Sequence, residues 1–263
     1  MEIIVSFLVC LGASFIGAVC GIGGGIIIKP LLDAIGIFEF SVINFMSCCT
    51  VLSMSFYTVV SCKREEEKID QRKSLPLAIG AAIGGIAGKS LLKQTLYWIG
   101  NEDVVGCVQA SCLIIITLGT LWYMLSKDKI KTLQIIHPGI CAAIGIFLGM
   151  ISSFLGIGGG PVNLVVLSYF FSMNTKEAVG NSLYIILYSQ LAGIIQMWIT
   201  GNIPVFDGKI MFLMMSGGIL GGVLGRKWNR RIKSYVVDRL FVILMLIIIL
   251  INIYNFFVFL SNK

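Results

Sequence analysis

Two copies of one glycine-rich motif decide the fold of this chain: GIGGG at residues 21–25 and GIGGG again at residues 156–160, 135 positions later. Each copy interrupts an apolar stretch of about 35 residues, 3–37 and 138–171. A continuous helix of that length would measure ~50 Å, whereas one crossing of the ~30 Å hydrocarbon core takes about 20 residues. Each stretch is too long for one crossing and too short for two. Each therefore predicts a hairpin of two helices that is broken at the glycines.

The composition indicates a protein whose solvent is mostly lipid. Of the 263 residues, 57% are hydrophobic and only 13% are charged, and the mean hydropathy is +0.94. Soluble domains carry roughly 25% charged residues. We therefore predict an all-α polytopic membrane protein, a single integral membrane domain over residues 1–263. This composition argues against a cytosolic enzyme and a DNA-binding module.

The net charge of +7 follows a membrane pattern and does not indicate a nucleic-acid partner. Fourteen of the 20 Lys and Arg residues fall in the segments 62–73, 126–136 and 226–239, which separate apolar stretches. Cytoplasmic loops of membrane proteins carry such an excess of basic residues. With these segments inside, stretch 138–171 begins and ends inside, and stretch 3–37 begins and ends outside. Both are thus expected to be re-entrant hairpins. Six further apolar stretches are predicted single crossings: 40–61, 74–92, 103–125, 177–199, 209–225 and 236–260.

The two halves of the chain are copies. Met46-Ser47 aligns with Asn181-Ser182 at the same offset of 135, and two glycine series align at an offset of 137: Gly80, Gly84, Gly88 and Gly217, Gly221, Gly225. Repeat one covers 1–126 and repeat two covers 137–260. Each contains one hairpin and three crossings, so the two repeats must have opposite topology. Inverted repeats with broken helices are typical of secondary transporters, which bind substrate near the membrane midplane.

The glycine motifs are the first candidate binding site. Consecutive glycines expose backbone N–H groups, and the helix that follows directs its positive end at the same place, which favours an anion. The candidate residues are Gly23, Gly24, Gly25, Gly158, Gly159 and Gly160. The alternative is that these small residues only permit close packing. Close packing is the role we predict for the two other glycine series.

Polar residues beside the motifs are further candidates. Lys29 is a functional candidate because an intramembrane lysine is costly, although an ion pair with Asp33 is an equally good explanation. Asn163 follows the second motif, where Leu164 aligns with Lys29. Other candidates are at the starts of the following helices: Ser47, Asn181 and Ser182. Their alternative role is helix–helix hydrogen bonding.

The sequence predicts no enzyme, cofactor or metal site. The pattern GxGxxG fails in both copies because Ile26 and Pro161 occupy the last position, and Gly88-Lys89-Ser90 lacks the first glycine of a P-loop. The one histidine, His137, lies at a membrane boundary beside Pro138 and is interpreted as an interfacial cap, so a Ser–His–Asp set is not expected, and no group of residues has metal-ligand spacing. The eight cysteines lie almost entirely in apolar stretches and are expected to be buried free thiols.

These paired motifs resemble those of the sulfite exporter TauE/SafE family, also called the toluene sulfonate uptake permease family. The resemblance covers essentially the whole chain. It implies a multi-pass transporter of the bacterial inner membrane that carries sulfite or organosulfonates and is coupled to an ion gradient. The second half departs from the first in having Pro-Val-Asn at 161–163 where the first has Ile-Ile-Ile at 26–28.

The leading hypothesis is therefore a secondary transporter that works by alternating access and holds a small sulfur-containing oxyanion on backbone amides. The alternative is an anion channel that uses the same hairpins. The expected partners are the anionic substrate and the lipid bilayer. The sequence leaves open which anion is carried, in which direction, whether a proton or sodium ion is coupled, and whether the chain forms a homo-oligomer.

Overall fold

A computed structural model describes residues 2–64 and 71–261, and these ranges contain ten α-helices and no β-strand. Residues 65–70 of the predicted basic segment 62–73 lie outside the described residues. The helices are, in chain order, α1 Glu2–Cys20, α2 Gly25–Ile35, α3 Phe40–Arg64, α4 Gln71–Ile99, α5 Glu102–Ser126, α6 Pro138–Phe154, α7 Pro161–Phe171, α8 Thr175–Ile199, α9 Gly208–Arg231 and α10 Ser234–Ser261. The prediction of an all-helical protein is confirmed.

Seven of these helices are long and apolar enough to cross a membrane, namely α1, α3, α4, α5, α8, α9 and α10. The chain is therefore a multi-pass membrane protein. The remaining three helices are shorter: α6 has 17 residues, and α2 and α7 have 11 residues each. Eleven residues of helix span only ~16 Å, about half of the hydrocarbon core.

Both predicted helix breaks occur at the glycine motifs. The chain leaves α1 after Cys20 and enters α2 at Gly25, and it leaves α6 after Phe154 and enters α7 at Pro161. The two turns share their backbone conformation, since φ is +73° and +65° at Gly21 and Gly23 and +67° and +68° at Gly156 and Gly158. L-residues with a side chain rarely adopt this left-handed conformation, so glycine is needed at the same places in both copies.

Three of the longer helices, α5, α8 and α9, begin at polar caps. Asn174 caps α8 in a reciprocal capping box with Glu177. Asn101 caps α5 by accepting from the amide of Asp103, and Asp207 caps α9 by accepting from the amide of Lys209. Such side chains satisfy amides that have no partner within the helix, and they fix where each helix starts.

Close helix packing is confirmed for both glycine series. A Cβ atom added to any of Gly80, Gly84 and Gly88 on α4 would overlap a backbone carbonyl of α6. The carbonyl groups on α6 belong to Ala142, Ile146 and Met150. The second series on α9 faces α1 in the same way, at the carbonyl groups of Phe7, Leu11 and Phe15, each 135 residues before its counterpart on α6. Small residues at such faces let two helix backbones approach closely in a membrane.

Candidate functional site

The two glycine turns contact each other. A Cβ atom added to Gly25 would overlap the carbonyl oxygen of Ile157, and one added to Gly23 would lie 3.4 Å from the carbonyl oxygen of Gly158. Backbone therefore meets backbone with no side chain between the turns. We call this contact region, residues 21–25 together with 156–160, the paired turns.

The paired turns lie between α3 and α8 at the middle of both helices. Built Cβ atoms on the turn glycines contact Val51 of α3, at 2.7 Å from Gly158, and Ile186 of α8, at 3.2 Å from Gly23. Val51 is the twelfth of 25 residues in α3, and Ile186 is the twelfth of 25 in α8. If α3 and α8 cross the membrane, the paired turns lie near its midplane.

Several backbone N–H groups at the paired turns have no backbone acceptor. Among the described residues, the amides of Gly24, Gly25 and Ile26 donate to no backbone carbonyl, and neither do those of Gly159 and Gly160. The first amides of any helix lack a partner within the helix, and together with the helix dipole they favour negative charge. The paired turns thus place the N-termini of α2 and α7 at a common point.

Two serine hydroxyls flank this point. Ser47 and Ser182 are both 0% exposed, and neither hydroxyl oxygen has a hydrogen-bond partner among the residues that the structure describes. Each lies one helical turn before the residue that contacts the paired turns, Val51 or Ile186, and therefore lies on the same helix face. An unpartnered buried hydroxyl costs free energy, so a ligand that accepts its hydrogen bond would be favoured there.

Two more unpartnered groups continue the same faces, and one of them, Ser55, was not among the residues selected from the sequence. Ser55 lies one turn after Val51, and Gln190 lies one turn after Ile186; both are buried, and their side-chain polar atoms have no partner within the described ranges. The i, i+4 spacing from Ser47 and Ser182 through the middle of each helix was the available signal. Polar atoms therefore flank the paired turns on both sides along α3 and α8.

The two asparagines among the candidates have different surroundings. Asn163 is buried, and its amide nitrogen lies 3.5 Å from a Cβ atom built on Gly159, so it is beside the paired turns. Asn181 accepts a hydrogen bond from Ser74 of α4 and donates one of 2.8 Å to the carbonyl of Glu177. Both ends of the Asn181 side chain are therefore engaged in joining α8 to α4 and to its own backbone.

Lys29 forms the ion pair that was one of its two expected roles. Its ammonium lies 3.1 Å from the Oδ2 atom of Asp33 and 4.5 Å from the ring centre of Phe40, and both charged side chains are buried. The Cε atom of Lys29 lies 3.3 Å from a Cβ atom built on Gly156. The lysine therefore reaches from α2 to the second turn, with its charge balanced by Asp33.

Comparison with known proteins identifies the family. The model of the family described as "Sulfite exporter TauE/SafE" matches residues 6–251. The chain is similar to a protein of Bacillus subtilis (strain 168) named "Probable membrane transporter protein YunE", with 24% identity over 94% of this chain and 96% of that protein. It is also similar to a "Probable membrane transporter protein" of Haemophilus influenzae, with 27% identity over 72% of this chain and 71% of that protein. No solved structure matches the chain. The chain therefore belongs to the sulfite exporter TauE/SafE family of membrane transporters.

Proposed function

We propose that this protein is a secondary transporter that carries a small sulfur-containing oxyanion, sulfite or an organosulfonate, across the bacterial inner membrane. The observation that carries the proposal is the meeting of two helix N-termini at the paired turns. The anion is held by the amides of Gly23 to Gly25 and Gly158 to Gly160, with hydrogen bonds from Ser47 and Ser182. Backbone amides and hydroxyls can bind an oxyanion in this way without a buried arginine.

The substrate class follows from the chemistry of these donors and from the family description. Sulfite and sulfonate groups present three oxygen atoms that each accept hydrogen bonds, which suits donors arriving from two helix ends and two side chains. Asn163 lies close enough to the paired turns to add an amide. Lys29 is assigned a positioning role, because Asp33 balances its charge while its side chain contacts the second turn.

An inverted repeat supports alternating access as the mechanism. Helix contacts occur in exchanged pairs: α1 packs against α9 as α6 packs against α4, and α3 packs against α9 as α8 packs against α4. When each helix is replaced by its equivalent in the other repeat, the first contact of each pair becomes the second. In such a molecule each repeat can adopt the conformation of the other, which would open the site alternately to the two sides.

Side-chain links at the helix ends follow the same symmetry. The hydroxyl of Ser41 at the start of α3 donates to Glu102 at the start of α5. In the second half, Thr175 at the start of α8 donates to Asp238 of α10 at 2.8 Å, and Lys127 pairs with the same carboxylate. In the orientation predicted from the basic segments, the first link lies at the outer side and the second at the inner side. The two links thus occupy equivalent positions in the two repeats.

Counterflow in proteoliposomes tests the proposal. Vesicles with purified protein are loaded with unlabelled sulfite and diluted, without oxygen, into a trace of ³⁵S-sulfite. A transporter gives transient accumulation of label that saturates with sulfite concentration. With the membrane potential held at zero by valinomycin and equal potassium on both sides, an anion channel would give no accumulation above equilibrium. A channel would instead give an ohmic current in planar bilayers. Imposed proton or sodium gradients in the same vesicles then identify the coupling ion.

A further inference from the structure

A cavity of about 650 Å³ extends from the ends of α4 and α8 towards the start of α3. Its wall includes two lysines, Lys89 and Lys93, and neutral polar side chains such as Asn44, Gln196 and Asn202. The lining residues include no aspartate or glutamate. In the orientation predicted from the basic segments, the cavity lies in the outer half of the protein. A cavity lined by one sign of charge attracts ions of the other sign.

Lys89 is the buried charge of this cavity. The residue is 6% exposed, and its ammonium donates to two neutral acceptors on α3, the Oδ1 atom of Asn44 and the sulfur of Cys48, each at 3.3 Å. Within residues 2–64 and 71–261, no carboxylate lies within ion-pair distance of it. An uncompensated buried ammonium is costly in a protein interior and more so at membrane depth, so its counter-charge is expected to come from a ligand.

Asn44 connects Lys89 to the paired turns. A Cβ atom built on Gly156 would overlap the side-chain oxygen of Asn44, so the acceptor of the Lys89 hydrogen bond directly touches the second turn. Asn44, Ser47 and Val51 follow one another at helical spacing along α3. The cavity, the buried ammonium and the candidate anion donors therefore lie along one face of one helix.

We propose that Lys89 is a substrate-binding residue at the inner end of this cavity and supplies the positive charge that draws a small oxyanion, such as sulfite or a sulfonate group, towards the paired turns. The inference rests on the proposed function and adds its charged ligand and its route from the outer side. The inference also gives the two buried lysines different roles. The charge of Lys29 is neutralised by Asp33, whereas the charge of Lys89 is available to an anion.

Sulfite binding to purified full-length variants tests this role by titration calorimetry. Lys89→Gln should weaken binding by about tenfold or more, since hydrogen bonds to charged groups are the strong ones, and Lys89→Arg should bind within about threefold of wild type. The control is Lys209→Gln, which removes an exposed lysine outside the cavity at the start of α9. It should bind as wild type does. Wild-type affinity in Lys89→Gln overturns the inference.

A second measurement keeps the inference testable if Lys89→Gln does not fold. Asn202→Cys in the cavity wall should react with an impermeant maleimide, and saturating sulfite should slow that reaction several-fold. Val205→Cys, which is 96% exposed and outside the cavity, should be insensitive to sulfite. Equal rates with and without sulfite at position 202 would contradict the proposed route.

If Lys89→Gln binds normally while Ser47→Ala and Ser182→Ala lose binding, the proposed function stands and the role of Lys89 fails. If the wild type binds no sulfur oxyanion, both fail.

Discussion

Val51 and Ile186 occupy the same position in two different helices, and each packs against the glycine turns of both repeats. Both are the twelfth residue of a 25-residue helix, and they are 135 residues apart, the offset of the glycine motifs themselves. Val51 contacts Gly23 and Gly158, and Ile186 contacts Gly23 and Gly159. The two residues therefore mark a common centre of the molecule, and the predictions below test what binds there and how it is held.

Removing the two unpartnered hydroxyls should affect binding and leave stability unchanged. We expect Ser47→Ala and Ser182→Ala each to weaken sulfite binding by about tenfold, because each loses one donor to a charged oxygen. The free energy of unfolding should not fall, since no hydrogen bond within the protein is lost. The control is Ser53→Ala on α3, whose hydroxyl bonds the carbonyl of Cys49 at 2.9 Å. Calorimetric titration and thermal melts measure both quantities; a stability loss without an affinity loss would assign the serines to packing.

The contact between the paired turns should not tolerate a methyl group. Gly25→Ala places a Cβ atom onto the carbonyl of Ile157, and we expect a loss of about 1–3 kcal/mol in stability, as for other overpacked sites. Gly12→Ala on α1 is the matched control, because nothing lies within 4 Å of its built Cβ atom. Alanine there should be neutral or stabilising, since glycine is a poor helix former. Thermal melts in detergent compare the two variants. Equal stability of Gly25→Ala and Gly12→Ala would mean that the turns are not in contact.

The buried pair of Lys29 and Asp33 should behave as a unit. Lys29→Met and Asp33→Asn should each lower stability by about 3–5 kcal/mol, because each leaves a buried charge without its partner. The double variant should recover most of that loss and bind sulfite within about threefold of wild type. A double-mutant cycle of thermal stabilities gives the coupling. A stable double variant that no longer binds sulfite would assign the Lys29 charge to the substrate instead.

Opposite topology of the two repeats predicts opposite accessibility at equivalent loops. Asn101 lies between α4 and α5, and Lys233 lies between α9 and α10. In a cysteine-free background, Asn101→Cys should react with an impermeant maleimide added outside spheroplasts. Lys233→Cys should react only after the membrane is permeabilised. Labelling of both positions from the same side would exclude an inverted repeat.

The helix breaks and the packed glycine faces could be predicted from the sequence because both are local and repeated patterns. A glycine motif inside an apolar stretch and a glycine every fourth residue each specify a backbone geometry without reference to other parts of the chain. The structure adds that the same glycines at Gly21 and Gly156 take left-handed φ values, which explains why both copies keep them.

The availability of each polar side chain could not be predicted, because it depends on contacts between distant helices. Asn181 and Ser182 are neighbours in the sequence, yet Asn181 accepts from Ser74 on α4 while Ser182 has no partner among the described residues. For Lys29 the sequence offered an ion pair with Asp33 as one of two roles, but it offered no partner for Lys89. The fold decides for the ion pair at Lys29, and only the fold shows that Lys89 contacts the neutral side chain of Asn44.

Anion-dependent thermal stability of the purified protein tests the central claim, an oxyanion site at the paired turns, most directly. Melting curves are recorded with sulfite, sulfoacetate, thiosulfate, sulfate and chloride for wild type and for Gly24→Ala, whose new Cβ atom would lie 2.9 Å from the hydroxyl of Ser14. We predict that a sulfur oxyanion at a hundred times its Kd stabilises the wild type by about 2.7 kcal/mol and that Gly24→Ala loses this effect. Absence of stabilisation by every anion in the wild type, or equal stabilisation of Gly24→Ala, would contradict the claim.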